Sequence, residues 1–106
     1  MSGGKTMLRH VVLLRWRSGT TAAQLDALIA AIATLPAQIP ELRAYRFGAD
    51  AGLTAGNFDF AIVADFDDDA GFLTYAEHPA HQRFIAEHTR PLVAERAAVQ
   101  FRIEVP

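Results

Sequence analysis

Residues 8 to 17, Leu-Arg-His-Val-Val-Leu-Leu-Arg-Trp-Arg, form a short, partly β-branched run closed by Ser18-Gly19, the pattern of a strand. Period two places Leu8, His10, Val12, Leu14 and Trp16 on one face and Arg9, Val11, Leu13 and Arg15 on the other. Both faces are apolar at mid-strand, as in a central strand covered on two sides. Thr21-Ala-Ala-Gln24 then matches a capping box, in which the Thr hydroxyl satisfies an early helix amide and Gln reaches back. Leu25, Leu28, Ile29, Ile32 and Leu35 follow at helical spacing. Pro36 and Pro40 end this helix.

Residues 42 to 47 alternate as a second strand, and Gly48 to Asn57, with three glycines, predict a loop. Residues 58 to 66 form the clearest strand, with Phe58, Phe60, Ile62, Ala64 and Phe66 on one face and Asp59, Ala61, Val63 and Asp65 on the other. Asp67-Asp68-Asp69 is placed to cap a short helix through Ala76. His78-Pro79 breaks and restarts that helix, which runs from about Ala80 to Arg96 with a kink at Pro91. Val99, Phe101, Ile103 and Val105 alternate with Gln100, Arg102 and Glu104 in a last strand.

The order is β-α-β-β-α-β. Right-handed crossovers put both helical layers on one side of an antiparallel four-stranded sheet, an α+β subunit of ferredoxin-like topology. The other side then has no cover from its own chain, yet Val11, Leu13, Ala61 and Val63 sit on the strand faces opposite to Val12 and Ile62, so whichever face the helices take, the other retains aliphatic residues, edged by Arg9, Arg15, Asp59 and Asp65. Two such faces packed together would bury on the order of 1,200–2,000 Å². A homodimer through the sheet face is the expectation.

Composition narrows the choices. A chain of 106 residues with 51% hydrophobic content is one domain, read here as residues 7 to 106 behind a flexible tail of residues 1 to 6. The net charge of −2, from ten scattered basic and twelve acidic residues, argues against nucleic acid. There is no cysteine, so thiol chemistry and disulfides are excluded. No apolar run approaches the roughly 18 residues that span a bilayer, so no membrane association is expected, and the cytoplasm is the default location. His78, His81 and His88 share a segment, but His81 and His88 are two turns, about 10 Å, apart along a helix. Neither metal nor cofactor is expected.

Several local motifs resemble one family. Arg9-His10-Val-Val-Leu-Leu, the capped helix ending Leu35-Pro36, Ile39-Pro40-Glu41-Leu42, and above all Phe72-Leu-Thr-Tyr75-Ala-Glu-His78-Pro79-Ala80-His81 are similar to the stress-responsive A/B-barrel domain proteins. The resemblance covers about residues 7 to 105. It implies a ferredoxin-like subunit and a dimer whose two sheets form an α+β barrel. One chemical branch resembles cofactor-free plant polyketide cyclases, which close linear polyketides by aldol chemistry. By that likeness His81 is the general acid/base, Tyr75 a substrate-positioning hydroxyl and His10 a pocket-lining group. Phe60 stands where those cyclases carry another histidine. In the last strand, where they place an acid, this chain reads Gln100-Phe101-Arg102. The wider barrel group also contains cofactor-free oxygenases and haem enzymes.

Each candidate has a structural role beside the chemical one. His81, in the first turn of a helix begun by Pro79, is kept neutral by the dipole's positive end, as a general base requires, or it simply bonds a neighbouring strand. His78 is placed to cap that helix, and otherwise lies against a ligand with His10 and Phe60. His10, set among apolar residues, must find a partner. Tyr75 either packs or positions. Two functions follow: a compact apolar, aromatic or polyketide-like ligand held between sheet and helices with His81 and Tyr75 moving a proton, or a non-catalytic stress-related oligomer or ligand carrier.

Overall fold

Strand β1 (Lys5–Trp16) lies inside the sheet because both its edges are occupied: β3 (Phe60–Phe66) pairs on one side and β4 (Val93–Val105) on the other. Strand β2 (Ala44–Ala49) adds to β3, giving the order β2-β3-β1-β4 with every pair antiparallel, the ferredoxin-like arrangement. The computed structural model describes residues 4–106. β1 begins at Lys5, inside the segment read as a tail, and the Lys5 ammonium bonds the Asp67 carboxylate at 2.8 Å. Residues 1–3 of that segment lie outside the described residues.

The sequence alternation is realised in the register. Leu8, His10, Val12 and Leu14 stand opposite Phe66, Ala64, Ile62 and Phe60, and all eight are buried. Helix α1 (Ala22–Ile32) starts at the expected box: the Thr21 hydroxyl accepts from the Gln24 amide at 3.2 Å, and the Thr21 amide donates to Gln24 Oε1 at 2.9 Å. Its Leu28 and Ile32, with Leu35 and Ile39 beyond, close the core over Leu14 and Phe66. The helix stops at Ile32, four residues before Pro36, whose missing N–H cannot serve the Ile32 carbonyl. Pro36 then sits in the first turn of α2 (Leu35–Gln38), so it opens a second segment as well as ending the first.

Helix α3 (Asp69–Glu77) is capped by Asp68, whose carboxylate accepts from the Gly71 amide at 2.9 Å. Helix α4 (Pro79–Phe84) follows, then a π-helical turn (Ile85–Thr89) and the short α5 (Arg90–Leu92). The expected long helix to Arg96 is therefore wrong at its end. The Arg90 amide reaches the Ile85 carbonyl, five residues back, and Pro91 has no amide to continue the ladder, so the chain widens and then leaves the helix. β4 opens at Val93, opposite Trp16, six residues before Val99. Ala94, Ala97 and Ala98 blur its alternation, and only the length of β1 reveals its true start.

All helices cover the face of His10. On the reverse face Arg9 grips Asp65 through two bonds of 2.8 and 2.9 Å, beside Val11, Val63, Leu13 and Ala61. β4 adds Val99 and Phe101, exposed at 55% and 46%. Among the described residues no helix is long and apolar enough to cross a membrane.

Candidate active site

Six elements supply one small cavity. β1 contributes His10, Val12 and Leu14, β3 contributes Ile62, and α3 contributes Tyr75. His81 and Phe84 come from α4, Ile85 and Thr89 from the π turn, and Arg96 from β4. The volume is about 70 Å³. A water needs roughly 10–15 Å³ on this measure, so the space suits a compact molecule of a few heavy atoms. Larger open grooves of about 380 and 400 Å³ lie on the surface, and neither contains a histidine.

The π turn shapes this wall. Its extra residue per turn brings both Ile85 and Thr89 to the cavity, and the Thr89 hydroxyl is satisfied by donating to the Ile85 carbonyl at 3.0 Å. His10 and Tyr75 are nearly inaccessible, at 4% and 3% exposure. The Tyr75 ring lies 4.0 Å from that of His81 and 6.4 Å from that of His10, measured between centroids. Phe72 packs on His10 from the far side at 4.9 Å.

The hydrogen bonds assign the two imidazoles opposite tautomers. Gln100 Nε2 lies 2.7 Å from His10 Nδ1. An amide nitrogen only donates, so His10 Nδ1 accepts and the ring proton sits on Nε2. His81 Nδ1 lies 3.2 Å from the Ala76 carbonyl oxygen, which only accepts. His81 therefore carries its proton on Nδ1 and keeps a lone pair on Nε2. One ring is left as a hydrogen-bond donor and the other as a base.

Both rings are held neutral. Burial, then the charges of Arg96 and His81, lowers the His10 pKa from 6.5 to about 4. Burial also lowers that of His81; the Ala76 carbonyl opposes this and the charges of Arg96 and His78 add to it. Burial thus leads for His81, ahead of the helix-dipole argument made from sequence. Burial pushes the Tyr75 phenol up, so it is a neutral hydroxyl at physiological pH. The nearby Tyr45 hydroxyl is buried without a hydrogen-bond partner, and burial together with Tyr75 pushes its pKa up.

His10, Tyr75 and His81 are brought together as the motifs suggested. Two other candidates are not. His78 spends Nδ1 on the Ala80 amide at 3.0 Å as the cap of α4, and it does not line the cavity. Phe60 is opposite Leu14, four positions along the sheet from His10, or about 13 Å. There it packs on Trp16 and Phe47, at 5.6 and 6.4 Å between ring centroids. The β3 residue facing His10 is Ala64, and the β3 cavity residue is Ile62. Sequence reasoning missed Arg96, which it assigned to a helix end, and the role of Gln100, whose alternation with Phe101 was the available signal. Among the described residues no three His, Asp or Glu side chains converge on a position that could hold a metal ion.

The family model for the stress-responsive A/B barrel domain matches residues 8–103. An uncharacterised protein of Streptomyces coelicolor is 33% identical over 82 residues, 76% of this chain and 84% of its own. Among solved structures, a dimeric ferredoxin-like protein of unknown function from Thermobifida fusca is 47% identical, covering 93% of this chain and 92% of that one, with a TM-score of 0.86. A hydroxynitrile lyase from Passiflora edulis is 27% identical over 92% of this chain and 93% of its own, with a TM-score of 0.80. With the expected topology in place and the model match running from the first strand to the last, this chain belongs to the stress-responsive A/B barrel domain family.

Proposed function

We propose that the cavity binds a compact carbonyl or hydroxy compound and that His81 moves a proton on it without a cofactor. The single observation behind this reading is the pair of opposite tautomers: a free Nε2 lone pair on His81 and an Nε2–H donor on His10, both rings neighbouring that of Tyr75. In the cleavage direction His81 Nε2 takes the hydroxyl proton. The oxygen's electron pair forms a carbonyl, the adjacent carbon–carbon bond breaks, and its electrons leave with the departing carbon. That carbanion then recovers the proton from the imidazolium. Addition is the reverse. His10 Nε2–H and the Tyr75 hydroxyl are the groups available to stabilise charge on oxygen. The likeness to a hydroxynitrile lyase supports this class of step. The volume of about 70 Å³ favours a small ligand over a long polyketide.

The protein acts as a homodimer in this reading. The open sheet face with Val99 and Phe101 exposed supports it, as does the Thermobifida relative described as dimeric. A second reading, a carrier that binds without converting, is favoured by the absence of any carboxylate among the cavity residues to steady an imidazolium. Assay of 2-hydroxyisobutyronitrile and 4-hydroxy-4-methylpentan-2-one separates the two. Turnover by the wild type, lost in a folded His81→Ala variant, is the expected result. Equal rates in both proteins, or no turnover by either, would overturn the catalytic reading.

A further inference from the structure

Before Glu104 at its end, β4 places three long polar residues on the helix-covered face: Arg96, Gln100 and Arg102, opposite Leu14, His10 and Leu8. Two have partners. Gln100 bonds His10, and Arg102 clasps the Asp69 carboxylate at the start of α3 with both terminal nitrogens. Arg96 forms no ion pair or side-chain hydrogen bond among the described residues, and it is the one of the three that lines the cavity.

The remaining cavity residues are five apolar side chains, one threonine, one tyrosine and two histidines held neutral. None is acidic. The lining therefore carries a net positive charge of one, all of it on Arg96, an exposed residue beside otherwise largely apolar lining. A guanidinium offers a planar fork of donors that matches a carboxylate. Its neighbours do not compete for it, because Thr89 is committed to the Ile85 carbonyl and His81 Nδ1 to the Ala76 carbonyl.

We propose that the cavity's ligand carries a carboxylate, seated on the unpaired Arg96 with the rest of the molecule against His10, Tyr75 and His81. The inference rests on the cavity being the ligand site and adds the charge class of what enters it.

A matched pair of small probes tests the proposal: 2-hydroxyisobutyrate and its neutral amide, 2-hydroxyisobutyramide, equal in shape and size. Titration at neutral pH, followed by the ring signals of His10 and His81, reads binding at the cavity itself. The wild type is expected to bind the carboxylate about 10- to 100-fold more tightly than the amide, the size of one charge-assisted bond. Arg96→Gln should bind the two alike, and Arg96→Lys should keep part of the preference. Equal binding of the two probes by the wild type, failure of both to bind, or a preference that survives in Arg96→Gln would overturn the proposal. His81→Ala separates this claim from the catalytic one, since it should retain the carboxylate preference. If the wild type prefers the carboxylate yet turns nothing over, the anion site stands and the proton-transfer reading falls. If it turns over only neutral compounds and ignores carboxylates, the reverse holds.

Discussion

Gln100 on β4 donates to Nδ1 of His10 on β1 across 2.7 Å, from the position directly opposite in the sheet register. That contact decides which ring nitrogen of a nearly inaccessible histidine carries a proton. An acid at the same position would accept where the amide donates, and the imidazole would turn its other tautomer to the cavity. A neutral amide in place of a carboxylate thus reverses the hydrogen-bonding sense of the site without altering its shape.

Gln100→Glu should make this reversal visible. The carboxylate accepts from Nδ1–H, leaves the Nε2 lone pair free and raises the His10 pKa. Long-range nitrogen–proton correlation spectra should show an Nε2–H tautomer for His10 in the wild type and an Nδ1–H tautomer or a doubly protonated ring in the variant. An unchanged tautomer would show that Gln100 does not control the ring.

His10 also sets a pH dependence of stability. Its folded pKa of about 4 lies below the unfolded value near 6.5, so between these limits the unfolded chain binds more protons. Stability should rise with pH across that window, and acidification from 6.5 towards 4 should remove on the order of 2 kcal/mol through this group. Urea unfolding at several pH values measures the slope. A His10→Asn variant should show a shallower slope, with a remainder from His81, which is lowered in the same sense.

The open sheet face should hold two copies together. Light scattering of the wild type is expected to give twice the 11.6 kDa protomer mass. Phe101→Glu, in the centre of the exposed row with Val99, places an acid where two apolar faces meet and should yield a monomer. Ile29→Glu is the control. Ile29 is exposed at 39% on helix α1, on the helix-covered side of the sheet, and its substitution should leave the mass unchanged. A Phe101→Glu dimer would direct attention to another surface.

Thr21→Ala tests the start of α1. It removes the acceptor of the Gln24 amide and one half of the capping box. A loss of about 1 kcal/mol in urea unfolding is expected, with no effect on the histidine signals. A loss of several kcal/mol would mean that the helix start supports more of the core than its own cap.

The strands were legible where apolar and polar residues alternate. His10 falls on the same face as Val12 and Leu14 in any register, and Phe66, Ala64 and Ile62 face the same way for the same reason. The caps at Thr21, Asp68 and His78 were legible because a short polar or imidazole side chain before a helix has few other partners there. The end of the last helix was not. The π turn depends on how Ile85 and Thr89 pack beneath it, and Ala94, Ala97 and Ala98 carry little of the period-two signal that marks a strand.

By itself the chain's order of residues determined the β-α-β-β-α-β framework, the set of residues that share a strand face with His10, and the family, because local periodicity and capping are properties of neighbouring residues. Tertiary structure alone decided which of the candidates meet. It drew Arg96 and Gln100 from the far end of the chain to His10 and His81, and it left Phe60 and His78 outside. Contacts between strands ninety residues apart depend on register and on where each strand begins, and neither quantity is written in any short stretch of sequence.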